Sequence, residues 1–251
     1  MATVSGAPPA SAIRLPGNRF DHAFFQTMAV LLTVTMVVGF AKTYFLPGVF
    51  RAKLPNLLIH LHGAVFTLWF LLLLAQSVLA SVHRVDLHRR LGIAGVAIAC
   101  LMLPLGILAT AEYVVREGAQ PWILLAAVMP VAELGTFSVL AAAAFLTRRT
   151  PALHKRLILL ATIALMGAAI GRMEFLPFWH FHGIAAIRLV WVYTYIFLLP
   201  LGGYDLWSTR KLNRATVWGS LFIICVHQVI LQVSTTSSWS ALARWMQSWG
   251  I

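Results

Sequence analysis

Acidic side chains are scarce in this chain, with seven Asp and Glu among 251 residues, and charged residues of both signs make up only 10% of it. A soluble domain carries roughly 25%, and no water-soluble core accommodates a composition that is 60% hydrophobic. Cysteine is nearly missing. Cys100 and Cys225 both fall inside apolar runs, where a thiol acts as a small hydrophobe, so no disulfide is implied. There is no Walker loop, dinucleotide-binding glycine pattern, Ser-His-Asp order, His-Glu-X-X-His or Cys-X-X-Cys-His. Soluble-cofactor catalysis and covalent haem are therefore unsupported, and the histidines are too dispersed for the boxes of a membrane desaturase.

What the chain does have is apolar length. Runs at about 24–46, 56–82, 87–115, 121–147, 152–173, 184–207 and 215–240 each suffice to cross a hydrocarbon core of roughly 30 Å at 1.5 Å per residue. The expected fold is all-α: a polytopic bundle of about seven transmembrane helices in a single domain, 21–251, behind a disordered tail, 1–20. That tail holds Pro, Gly and Ser but no apolar core or cleavage site, so the first span is read as retained. Pro47, Pro55, Pro121, Pro151 and Pro177 fall at the ends of runs, whereas Pro104, Pro130 and Pro200 lie inside them and predict kinks.

The excess of 19 Lys and Arg, net charge +12, points to a lipid bilayer and not to nucleic acid. The basic residues cluster between runs, at Arg84/Arg89/Arg90, Arg148/Arg149/Lys155/Arg156 and Arg210/Lys211/Arg214, as cytoplasmic loops do against anionic lipid. The tail and the second, fourth and sixth loops hold 12 Lys and Arg against 7 elsewhere, which predicts an N-terminus inside and a C-terminus outside. That orientation argues against a rhodopsin or receptor, and the last span has no lysine for retinal.

One pattern recurs. Leu87-His88-Arg89-Arg90-Leu91 opens the third run and Leu153-His154-Lys155-Arg156-Leu157 opens the fifth, as in a helix hairpin repeated in parallel, so that spans two to five form a pseudo-symmetric four-helix core. The stretches Pro55 to Gly63, Asp86 to Ala94, His154 to Ala164 and Tyr204-Asp205-Leu206-Trp207-Ser208-Thr209-Arg210-Lys211 resemble a family of uncharacterised bacterial membrane proteins with seven spans. The resemblance covers most of the chain and implies a multi-pass protein of the bacterial inner membrane; it supplies no activity. A looser likeness of the His-Arg-Arg-Leu openings extends to small membrane proteins, some suspected of haem or oxidase-related roles.

Nine histidines in so apolar a chain ask for explanation, because ionisable residues within spans are costly and those retained are functional candidates. His88 and His154, each in the first turn of a span, are placed to serve as axial ligands of a b-type haem, with arginines nearby for the propionates. On the other side, His62 with Arg172 and Arg188 offers a second haem arrangement. Alternatively, His60, His62, His180, His182, Glu112 and Glu174 offer ligands to a transition metal. His62, Trp69 and Gln76 recur every seven residues and form one stripe. Glu133 and His227 each lie about 18 Å into a span by helical rise, near the midplane, and are expected either to pair or to carry protons.

Against each candidate stands a structural reading: interfacial anchor, packed polar stripe or buried hydrogen bond. Three functional classes remain open. One is a membrane redox protein holding haem b and exchanging electrons with quinone. Another is a transporter or proton-conducting protein using Glu133 and His227 as its catalytic pair. The third is a non-catalytic subunit of a larger membrane complex.

Overall fold

The computed structural model describes residues 17–51, 54–118 and 120–250, and every regular element among them is helical. Seven segments are long and apolar enough to span a membrane: Phe20–Phe45, Leu57–Ser81, Val85–Glu117, Pro121–Leu146, Pro151–Ile170, Ile184–Thr209 and Arg214–Ser234, with mean hydropathy from 1.6 to 2.4. The chain is a polytopic helical bundle with these as spans one to seven. Residues 1–16 of the expected tail lie outside the described residues. The first helix already begins at Gly17, inside the expected tail.

Span one is α1 (Gly17–Phe40) with a π-helical turn, Ala41–Phe45; spans two to four are single helices, α2 (Leu57–Ser81), α3 (Val85–Glu117) and α4 (Pro121–Leu146). Local chemistry sets several starts. The Asn56 side chain accepts from the Ile59 amide to cap α2, and Pro121 stands at the first turn of α4, where its missing N–H costs nothing. Span five divides into α5 (Pro151–Ala164) and α6 (Met166–Ile170) at Leu165, whose amide turns back to the Thr162 carbonyl at 3.1 Å. Span six divides into α7 (Ile184–Ile196) and α8 (Leu198–Thr209) at Phe197. The expected interruption at Pro200 thus appears three residues earlier, because Pro200 has no N–H to return to the Ile196 carbonyl. No such interruption occurs in α3 or α4, which run through Pro104 and Pro130 as continuous helices.

Span seven is α9 (Arg214–Ser234), shorter than the expected 215–240, and the remainder forms a separate helix, α10 (Ser237–Gln247). Thr236 caps α10 by accepting from the Trp239 amide. Its apolar stripe of Trp239, Ala243 and Met246 packs on Ala111, Val114, Ile123 and Leu124, and the Trp239 indole donates to the Leu124 carbonyl at 2.8 Å. It therefore covers the ends of spans three and four on the face opposite the N-terminus.

Two hairpins form, α2 against α3 and α4 against α5, but they are not equivalent halves of a core. The apolar window of span five is 67% buried and that of span four 56%, against 11% for span two. Spans four and five are the centre; span seven packs on both, and span one packs on span five. At the middle, Trp69 meets Phe137 edge-on at 4.9 Å and donates to the Thr162 hydroxyl at 3.1 Å.

Candidate functional site

At the N-terminal face, the basic opening of span five is held by a buried ion pair. Arg156 Nε and Nη2 donate to Asp205 Oδ1 at 2.9 and 2.5 Å, while Oδ2 accepts from the Asn213 amide at 3.0 Å and the Thr216 hydroxyl at 2.5 Å. Asp205 is fully buried and the Arg156 side chain is 5% exposed. Next to it Lys155 pairs with Asp21, which also accepts from the Tyr204 hydroxyl at 2.7 Å. Spans one, five, six and seven are tied at this one level. Sequence reasoning passed over Asp205, although an acid within an apolar run is the signal that buried charge needs a partner.

His88 and His154 open spans three and five on this same face. The His154 Nδ1–H donates to the Ala144 carbonyl at 2.8 Å, one of the carbonyls left over at the end of α4. This bond fixes the tautomer and leaves Nε2 with a free lone pair. His88 has no such anchor: its Nδ1 is buried without a hydrogen-bond partner, as is Gln76 Oε1, although Gln76 Nε2 donates to the His88 carbonyl at 3.0 Å. Two unsatisfied polar atoms thus lie together where spans two and three meet. Buried groups of this kind are normally paired, so each marks a place for water, an ion or a ligand.

On the opposite face the expected metal ligands do not converge. Glu112 accepts both Arg116 Nη1 contacts at 2.9 Å and the Asn56 amide at 3.2 Å, and Glu174 takes Lys42 at 2.7 and 2.8 Å. These carboxylates fasten span two to three and span one to the end of five. His60 is exposed beside the Tyr44 ring, with centroids 5.8 Å apart, and His180 and His182 are exposed in the loop before α7. Among the described residues no three His, Cys, Asp or Glu side chains gather as a metal centre needs.

Of the histidines in that set His62 points into the bundle, stacked at a tilt on Phe66 at 4.1 Å, its Nδ1 buried and unpartnered. Arg172 is within electrostatic reach of His62 and of Glu133. It donates to the Ala168 carbonyl at 2.6 Å and lies over the Phe40 ring at 4.5 Å. Arg188 is exposed on α7, and nothing among the described residues joins it to this group.

Glu133 and His227 are both buried, at 4% and 2% exposure, but they find different partners. Glu133 Oε2 accepts from the Ala168 amide at 3.2 Å, a donor that the break at Leu165 releases. The expected pairing with His227 is thereby replaced. His227 Nδ1 shares a hydrogen bond of 3.0 Å with the Tyr195 hydroxyl and lies flat on Trp191, with centroids 4.7 Å apart and planes 8° apart. Shared depth along two helices says nothing of which way each side chain faces. Comparisons of the chain with models of known families, with curated proteins and with solved structures return no match.

Proposed function

We propose that the chain is a membrane redox protein that holds a b-type haem through His88 and His154 and exchanges electrons with a quinone. The observation that carries this reading is the pair of imidazoles from the openings of spans three and five, each with an uncommitted ring nitrogen. A bis-histidine haem needs two such nitrogens, where a metal cage needs three or more ligands. The Ala144 carbonyl orients His154 as outer-shell acceptors orient ligating histidines. Arg89 and Arg90 on span three supply positive charge for propionates. Bound iron would supply one-electron chemistry; His88 and His154 would hold it, with the Ala144 carbonyl orienting His154. By the positive-inside rule the site belongs to the cytoplasmic side of a bacterial plasma membrane.

The test is an absorbance spectrum of detergent-purified protein, produced with haem available. A reducible α-band is expected in the wild type and its loss in His88→Ala and in His154→Ala, with both variants still inserted in the membrane. A colourless wild type overturns the reading.

A second reading has its own observation: spans five and six are both broken, and Glu133 binds the backbone exposed at one break. Interrupted helices with a buried ionisable group are the architecture of transport and proton-translocation sites.

A further inference from the structure

We infer that the groove between spans one and six at the N-terminal face is a binding site for an anionic phospholipid. The groove has a volume of about 420 Å³ and is open to the surroundings, with walls formed by Phe20, Phe24, Thr27, Gly203, Tyr204 and Trp207. Its aromatic walls are braced. Phe24 stacks on Tyr204 at 4.2 Å with planes 9° apart, and Phe20 meets Trp207 edge-on at 5.6 Å. Phe20 and Trp207 remain 59% and 62% exposed, which suits aromatic rings at the headgroup level of a bilayer.

Charge decides which lipid the groove takes. Asp21 and Lys155 beside it neutralise each other, and the Tyr204 hydroxyl is spent on Asp21. Three and four residues past Trp207 come Arg210 and Lys211, both exposed and without an acidic partner among the described residues. An acyl chain lying along the aromatic wall brings its headgroup to these two cations. An anionic headgroup gains from both of them, at roughly tenfold per pair or more given the usual worth of basic residues near a membrane surface. A zwitterionic one does not. This inference stands apart from the haem reading, since it uses none of the same residues.

Gly203 supplies a clean test, because it lines the groove and a Cβ built there meets no protein atom within 4 Å. Purified protein is titrated with dioleoyl phosphatidylglycerol, dioleoyl phosphatidylcholine or glycerol phosphate, reading retained lipid by native mass spectrometry and thermal unfolding in detergent. Phosphatidylglycerol is expected to be retained and to raise the melting temperature, phosphatidylcholine to do so roughly tenfold more weakly, and glycerol phosphate not at all. Gly203→Leu should melt like wild type without lipid yet lose both effects, and Arg210→Ala/Lys211→Ala should erase the preference between the two lipids. Equal binding of the two lipids by wild type overturns the inference. So does a response to glycerol phosphate alone, or a Gly203→Leu protein that still retains phosphatidylglycerol.

Discussion

Removing Asp205 should do more damage than any single surface-charge change in the chain, because it strands Arg156. The pair is dry, with 5% of the arginine side chain and none of the aspartate exposed, and both carboxylate oxygens are engaged. Breaking a buried pair from one side costs about 3–5 kcal/mol, since the surviving charge has no solvent to replace its partner. Asp205→Ala should therefore lower stability by that amount, a factor of a hundred or more in the folding equilibrium. Asp205→Asn should be nearly as harmful: an amide nitrogen in place of Oδ2 would face the Asn213 N–H, donor against donor. The double variant Arg156→Met/Asp205→Leu removes both charges and should recover most of the loss, because apolar replacements of a buried pair are often neutral or better. The assay is reversible unfolding in mixed micelles of mild detergent and dodecyl sulfate, followed by tryptophan fluorescence. A loss under about 1 kcal/mol for Asp205→Ala, or a double variant no more stable than the single, would refute the argument from desolvation.

Gly167→Ala would put a methyl carbon 2.0 Å from Glu133 Oε1; the carboxyl must swing away from the Ala168 amide, so a loss of about 1–3 kcal/mol is expected. The same unfolding assay checks it, and Glu133→Ala in the Gly167→Ala background should show the two changes to be strongly non-additive. In proteoliposomes carrying an imposed pH gradient, the transport reading expects Glu133→Gln to insert normally and to stop flux. Equal flux in variant and wild type removes Glu133 from any proton path.

Span positions are legible because burying backbone in lipid demands uninterrupted hydrogen-bonded helix, and only apolar runs of sufficient length provide it. The ends are legible to within a few residues where Asn56, Pro121 and Pro151 mark them. What stays hidden is rotation about each helix axis. Glu133 and His227 share a depth by counting rise, yet one faces the break in span five and the other faces Trp191 and Tyr195 of span six. The break at Leu165 carries no proline, and Gly167 two residues on is too weak a breaker to mark it, so the amide that captures Glu133 is not legible in the sequence. Helix α10 was hidden for a different reason: its apolar residues recur at helical spacing along the surface of the bundle, and read as a continuation of span seven when only hydropathy is weighed.

The two Leu-His-basic-Arg-Leu openings show how far sequence likeness carries. In the second, Arg156 is buried against Asp205, Lys155 is paired with Asp21, and His154 is anchored on Ala144. In the first, Arg89 and Arg90 are exposed and His88 has an unsatisfied nitrogen. The difference comes from elsewhere in the chain, since Asp21 and Asp205 on spans one and six approach span five, and among the described residues nothing comparable approaches the opening of span three. Lys155 and Arg156 of the second opening are therefore committed to holding spans one, five, six and seven together, while His154 keeps its Nε2 free. Of the four buried side-chain atoms left without a partner among the described residues, three belong to His62, Gln76 and His88 on spans two and three, and the fourth is the Trp191 indole. Satisfied polar groups stabilise the bundle, whereas unsatisfied ones are retained at a cost. That asymmetry gathers most of the unsatisfied groups on the hairpin of spans two and three, away from the spans that Asp21 and Asp205 tie together.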